Sequence, residues 1–502
     1  MNVLRKFFLL FVLFLSLAGY GQVKEPYILS EFKEKEMGTM LEICHRSGID
    51  VLIQKTPFST YGHYDWNEDF APQGDASVRQ MAEEAESAGV QLGVWVQENA
   101  ISTDDALFSP EYYKQYRKGG KLELYCDLSA DDNTIAMRRS DVLKEPASLN
   151  LIMIDDELVS YSTLEFSGEL ALIHRCTRGA YGTKASAHAV DAEVYRIWDS
   201  PDHYVEPEGD LRDLVRQSLD EKLQFFKVKL YKETTAQDWI EENIRVSQVK
   251  RWEEGDTSLS SLGWFMIRPS DKRRTGTTME ELEWMLSKAV SFGVGYGLVI
   301  DPKAMTDHGM FDEMLEALNR WNRLLREGTL SERQRALLRD PYLDWHLEQR
   351  DSVHFTLYSQ NVSRRFRCNL EEMDEGVLRG ETWNWNAEEG GRFGLRIQVE
   401  GEVEVINPMV NTSRGLVMFP CTVKPGQRLF YDFGDTARVV DASFRVMEEI
   451  AIEGLPELEV GNNEVYFLCE VDPAAKKQPD VSLRYITRED AMIVTLGTSP
   501  HK

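Results

Sequence analysis

Histidine and cysteine are scarce, and neither occurs at a metal-binding spacing. Nine histidines and six cysteines (44, 126, 176, 368, 421 and 469) are spread over 502 residues. No C-x-x-C pair, H-E-x-x-H run or Cys/His cluster is present, so the sequence implies no metal site and gives no support to zinc proteolysis. Acyl transfer fares no better, because no Cys/His pair or Ser/His/Asp order stands out. Positive charge is also short. Lys and Arg number 57 against 84 Asp and Glu, a net charge of −27. Such a surface repels phosphate backbones and anionic lipid, which excludes nucleic acid as a natural partner. Long apolar runs are missing after the first 20 residues. The one run present, Phe7 to Ala18, has 12 residues, against about 20 for a membrane span. No membrane insertion is expected.

That run has a meaning of its own. Arg5 and Lys6 precede it, and Ala18-Gly19-Tyr20-Gly21 follows with small residues and a turn. This is the pattern of a secretory signal peptide over 1–21, implying a periplasmic or secreted protein. No cysteine lies near the cleavage region to carry a lipid anchor. Loss of the two positive charges would take the net charge from −27 to −29. Export permits disulfides, and Cys126 and Cys176, which flank one β-rich segment, are the candidate pair.

The remainder has the composition of a folded protein, 42% apolar and 10% aromatic. Helical spacing over 32–47 leads through Gly48 into the strand Val51-Leu52-Ile53. A second helix over 76–88 leads through Gly89 into the strand 90–96. Helix, glycine, strand and loop repeating at about 40 residues is the rhythm of a βα barrel or an open α/β sheet. From 122 to 198 the period changes to short alternating segments punctuated by Gly and Ser, read as an inserted β module. Helical period returns over 211–223 and 236–252, with a strand at 224–231 between. The strand Trp264–Ile267, two registers of a capping box at Thr277 and Thr278, a helix over 279–291, and Gly293–Ile300 then form a βαβ-like unit. A helix near 310–326 closes it. Beyond about 345 only short alternating strands remain, as in a β-sandwich.

The predicted organisation is therefore a signal peptide (1–21), a first barrel part (22–121), a β module (122–198), a second barrel part (199–344) and a C-terminal β-sandwich (345–502). The fold class is α/β, a (β/α)8-type barrel with two β appendages. The stretch from 198 to 263 is short for the βα units it should hold, which leaves room for an incomplete barrel.

Two stretches resemble known proteins. Ile154-Asp155-Asp156-Glu157 with Tyr161, followed by Cys176-Thr177-Arg178-Gly179 and Gly182-Thr183, Ala185 and His188, resembles a β module found in phage-tail-like proteins and as insertions in large secreted bacterial proteins. Gly263-Trp264-Phe265-Met266-Ile267-Arg268, with the helix and strand from Thr277 to Ile300, resembles the late strands of secreted (β/α)8 glycoside-hydrolase-like proteins of polysaccharide-degrading, Bacteroidetes-type bacteria. The resemblance implies an exported protein acting on a poly- or oligosaccharide, with no cofactor.

Glycoside hydrolysis needs two carboxyl groups, about 5 Å apart for retention and about 6.5–9.5 Å for inversion. A barrel supplies them from the C-terminal ends of its strands. Asp65, Glu98, Glu233 and Asp301 occupy such positions and are the candidate catalytic acids. Asp301 precedes Pro302 and equally suits an Asx turn. Tyr61, His63, Tyr64, Trp66, Trp95 and Arg268 are the candidate substrate contacts: aromatics for stacking, and Arg268 for an acidic sugar or as partner to a nearby acid. Trp383 and Trp385 share a face of a strand and read as sandwich core. Asp155, Asp156 and Glu157 are consecutive, so they are expected to point to alternating faces and not to converge on an ion. The Gly179–Thr183 segment lacks the Lys-Ser/Thr of a phosphate loop. Two alternatives remain open: a non-catalytic carbohydrate-binding protein, and a polysaccharide lyase using His63, Tyr64 and Arg268.

Overall fold

The computed structural model describes residues 25–145, 148–200, 203–231, 261–271, 274–327 and 330–497. The expected signal peptide, Glu233 and the helix over 236–252 lie outside the described residues. The chain forms two compact units. One comprises Glu31–Met37 and Ile53–Lys232, the other Gln22–Ser30, Gly38–Leu52 and Glu233–Lys502.

Six strands belong to the α/β part: β1 (Tyr27–Ser30), β2 (Val51–Gln54), β3 (Gln91–Val96), β4 (Val228–Tyr231), β5 (Ser261–Ile267) and β6 (Gly295–Ile300). In the first unit β3 and β4 pair in parallel, Gly93 opposite Val228. A Cβ at Gly93 would meet the Val228 carbonyl oxygen at 2.7 Å, so only glycine lets the two strands close here. In the second unit β6 lies between β1 and β5, parallel to both. The described residues are thus mixed α/β with parallel strands, and six such strands are fewer than the eight of a closed barrel.

The helices follow their apolar spacing. Helix α1 (Met37–Ser47) buries Met37, Met40, Ile43 and Cys44. Helix α2 (Asp75–Ser87) buries Val78, Met81 and Ala85, and the chain leaves it through Gly89 at φ 73°, a left-handed position glycine adopts without strain. Helix α3 (Gly209–Leu223) buries Leu211, Val215, Leu219 and Leu223, one residue per turn. Helix α4 (Met279–Phe292) uses the second of the two expected capping-box registers. Thr278 accepts from the Glu281 N–H, and the Glu281 carboxylate accepts from the Thr278 N–H. A single helical turn at Ala304–Asp307 precedes helices α5 (Phe311–Glu327) and α6 (Glu332–Arg339).

Within the first unit, the strands from Lys118 to Ile197 form two antiparallel sheets. One is ordered 134–138, 170–174, 163–167, and the other 118–122, 194–197, 151–154, 157–160. Leu122, Ile135, Met137, Ile152, Ile154, Ile173 and Val194 pack between them. Cys126 is exposed and Cys176 half-buried, and both are free thiols, as are the other four cysteines. The expected Cys126–Cys176 bridge is not formed, because the Cys176 thiol turns inward to the Ile173 carbonyl.

In the second unit, the strands from Asp344 onward form two antiparallel sheets. The strand Gly391–Glu400 buries Phe393, Leu395, Ile397 and Val399 at every second position, the alternation expected of a sheet with one face in a core. Trp383 stacks on Tyr485 at 5.3 Å, and Trp385 lies 4.2 Å from the same ring. Both belong to this core.

Candidate functional site

In the first unit, the loop from Phe58 to Asn67 and the end of β3 hold most of the candidate residues. Strand β3 is held by the burial of Val94 and Val96. It delivers Gln97 and then Glu98, and the chain turns at Asn99 with φ 52°. The aromatic loop folds back through an antiparallel bridge between Phe58 and Trp66, whose rings stack at 5.1 Å. Trp66 donates its Nε1–H to Asp75 at 2.6 Å and is buried, with the Lys222 ammonium 5.3 Å from its ring centre.

Tyr64 is fully buried, at φ 55°. Its hydroxyl donates to the Gln97 carbonyl at 3.0 Å. Burial pushes its phenol far above the usual range, with the nearby Glu98 charge adding to the effect. Tyr64 and Trp66 are thus packed and bonded within the loop rather than open to a ligand. Their neighbours differ. Asp65 and Glu98 are both exposed, and each adjoins in sequence one member of the Tyr64–Gln97 hydrogen bond. That bond ties the two loops together.

His63 precedes Tyr64 on the same loop. Its Nδ1 lies 2.9 Å from Oδ1 of Asp105, and its backbone N–H donates to Asp105 Oδ2 at 2.8 Å. The Asp105 side chain is 1% exposed and the His63 side chain 43%. With Nδ1 on the carboxylate, the other ring nitrogen is the one left to act on a ligand. Gly62 makes this clamp possible: at φ 124°, a Cβ there would lie 2.6 Å from the Asp105 carboxyl carbon. Tyr61 is half-buried, edge-on to both Tyr64 and Tyr204 at 6.1 Å. Trp95 is half-buried, with its indole N–H shielded and unbonded among the described residues. Asp105 was not singled out from the sequence. An aspartate 42 positions from its histidine partner carries no local signal.

In the second unit, Arg268 follows β5. Its backbone N–H donates to Thr277 Oγ1 and its carbonyl accepts from the Thr277 N–H, each at 2.9 Å. Asp301 follows β6 and is exposed. Its Oδ1 accepts the Lys303 N–H at 2.9 Å and its carbonyl accepts the Ala304 N–H at 2.7 Å, the Asx turn allowed by the sequence.

A cleft of about 280 Å³ in the second unit is lined by α4, α5 and the C-terminal sheet. Its charges are matched. Arg396 bonds Glu280 at 2.9 Å and Asp432 at 2.5 Å, and Arg438 bonds Asp432 at 3.1 Å and Glu313 at 2.5 Å. His346 bonds the buried Glu283 at 2.8 Å. Burial opposes its protonation, but Glu283, with help from Glu348, raises its pKa to about 9.

The consecutive acids of the β module follow a third arrangement. Asp155 and Asp156 form the turn between the strands 151–154 and 157–160, so simple alternation does not apply. Asp155 and Glu157 converge, and the group between them is His188, 2.8 Å from each. Glu157 also binds Arg178 through two oxygens, at 2.7 and 2.8 Å, and accepts the Gly179 and Ser186 N–H groups. Burial alone would raise its pKa, but Arg178, His188 and these amides bring it to about 2. The motif is a buried ion-pair staple. No group of three or more potential metal ligands occurs among the described residues.

No family model and no curated relative matches the sequence. Among solved structures, the chain is similar to a GH36 α-galactosidase of Geobacillus stearothermophilus crystallised with stachyose, at 10% identity and a TM-score of 0.31, over 90% of this chain and 56% of that one. A trehalose-6-phosphate hydrolase of Bacillus licheniformis matches at 9% identity and 0.33, over 90% and 100%. An α-amylase of Anoxybacillus matches at 8% identity and 0.34, over 89% and 98%. The chain thus spans about half the length of the α-galactosidase.

Proposed function

We propose that the protein is an exported glycoside hydrolase acting on a poly- or oligosaccharide, with Asp65 and Glu98 as its working carboxylates. The observation that carries this reading is the Tyr64–Gln97 hydrogen bond, which joins the two loops bearing these exposed acids. Neither carboxylate is tied up by a hydrogen bond or ion pair among the described residues, so both are available to a ligand. One would protonate the leaving oxygen, and the other would act as base or nucleophile. His63, held by Asp105, and the half-buried Tyr61 lie on the same loop as Asp65 and would orient the sugar. Glu233 remains a candidate acid by its place in the sequence. Asp301, spent on its own turn, is the weakest of the four.

The His63–Asp105 pair favours a second reading, a polysaccharide lyase in which the free imidazole nitrogen is the base. Screening plant and algal polysaccharides with the wild type, Asp65→Asn, Glu98→Gln and His63→Gln separates the two. Hydrolysis lost in the carboxylate variants supports the hydrolase. A product absorbing in the near ultraviolet, lost in His63→Gln, supports the lyase. Glycan binding without product from any substrate leaves the binding-protein reading.

A further inference from the structure

Beside the charge-matched cleft lies a second one in the same unit whose charges are matched only in part. It is lined by Thr275 and Glu280 around the start of α4, by Arg396, Arg428, Ser482 and Arg484 on three adjacent strands of the C-terminal sheet, and by Arg365 from a loop. The register explains the crowding. The strand Gly391–Glu400 runs between 428–432 and 480–495, with Gln398 opposite both Arg428 and Ser482, and Arg396 directly opposite Arg484. Residues two apart share a face, so the guanidinium groups of 396, 428 and 484 issue from the same side. Like charges directly opposite across a sheet are unfavourable.

Arg396 is neutralised by Glu280 and Asp432. The other arginines are not. Among the described residues, no carboxylate lies within ion-pairing distance of Arg365, Arg428 or Arg484. Glu400, the acid at the end of the central strand, is bonded to Gln398 instead. Arg428 is only 7% exposed. Its one hydrogen bond, at 3.3 Å, goes to the Ala442 carbonyl, and it lies over the Phe444 ring. The Nε–H groups of Arg428 and Arg484 are buried without a partner.

The environment works against these charges. Partial desolvation and then the Arg484 charge lower the pKa of the exposed Arg365, and burial and then the Arg365 charge lower that of Arg428, against a smaller opposing pull from Glu400 on both. Arg428 is the buried member of the three, and burying its charge is costly unless something pairs with it.

We propose that this cleft is an oxyanion site, taking a sulfate or phosphate group between Arg365, Arg428 and Arg484, with the Thr275 and Ser482 hydroxyls as additional donors. Three guanidinium forks and two hydroxyls offer more donors than the two oxygens of a carboxylate can use, which favours a tetrahedral group. The group reaches the cleft either as the free ion or as an ester on a larger ligand such as a saccharide. The site is independent of the strand-end acids of the other unit and of any turnover there.

The test is calorimetric titration of the full chain with sodium sulfate and sodium phosphate, against sodium chloride at matched ionic strength. Saturable binding of sulfate or phosphate, weakened at least tenfold in Arg484→Gln and in Arg365→Gln, is the expected result. Circular dichroism checks that these more accessible variants stay folded. A sulfated oligosaccharide and its unsulfated counterpart distinguish the sources. Tighter binding of the sulfated sugar than of inorganic sulfate points to an ester, and equal or weaker binding points to the free ion. Heats indistinguishable from chloride, or binding unchanged in both variants, would overturn the proposal.

Discussion

Asp105 holds His63 twice, through the ring Nδ1 at 2.9 Å and through the backbone N–H at 2.8 Å. The same carboxylate accepts the Leu107 N–H at 2.8 Å. One buried aspartate thus fixes both the loop that carries the histidine and the orientation of its ring. The arrangement rests on Gly62, whose missing Cβ leaves room for the carboxylate.

Gly62→Ala should therefore destabilise the first unit by more than about 1 kcal/mol, since it adds both a steric clash and an unfavourable positive φ. Urea unfolding followed by tryptophan fluorescence measures this. A midpoint equal to that of the wild type would show that the clamp can yield freely.

The carboxylates should separate in activity. On any glycan the wild type cleaves, Asp65→Asn and Glu98→Gln should each lower turnover by several orders of magnitude with the fold intact. Asp301→Asn should act mainly through its turn and lower turnover far less. An Asp301→Asn variant as inactive as the other two would move the chemistry to the second unit.

Acid should loosen the β module through Glu157. Its folded pKa of about 2 lies below the ordinary 4.5, so its stabilisation is fully present above about pH 4.5 and is lost as pH falls toward 2. The difference corresponds to about 3 kcal/mol at most. Glu157→Gln should remove this pH dependence. It should also cost about 3–5 kcal/mol at neutral pH, because Arg178 is left buried without its partner. Melting curves of the two proteins from pH 2 to 7 provide the comparison.

Alkali should act on the second unit through His346. Its folded pKa of about 9 is above the ordinary 6.5, so its stabilisation is complete below about pH 6.5 and fades as pH rises through 9. Glu283, buried and held below the usual carboxylate range despite burial by the charge and hydrogen bond of His346, loses its counter-charge over that window. A His346→Gln variant should be less stable at pH 6 and show a flatter stability profile between pH 6.5 and 9.

Thiol labelling should be one-sided. Cys126 is exposed, whereas burial raises the thiols of Cys44, Cys368, Cys421 and Cys469 to about 12 and that of Cys176 to about 11. A thiol reagent at pH 8 should modify one cysteine rapidly in the folded protein and all six after unfolding without reductant. Fewer than six after unfolding would reveal a disulfide.

Local order was legible in the sequence. Apolar spacing located α1 to α5, Gly89 marked the exit from α2, and the loss of helical period marked the β-rich regions 122–198 and beyond 345, because each signal depends only on residues within a turn or two. Helix α6, with its single buried Leu338, escaped notice since it has no apolar stripe to read. The strand 428–432 is buried at four consecutive positions and so shows no alternation to read.

What the sequence determined by itself was therefore composition, charge and the type of each strongly periodic element, along with the acids Glu98 and Asp301 placed after β3 and β6. Tertiary structure alone decided which side chains meet. It buried Tyr64 and Trp66, supplied Asp105 to His63 from 42 positions away, and turned Asp155 and Glu157 toward His188. It also set Arg396 against Arg484 across a strand pair. Each of these depends on a register or a loop closure between distant segments, and hydrogen bonds and charges act through space with no period along the chain to announce them.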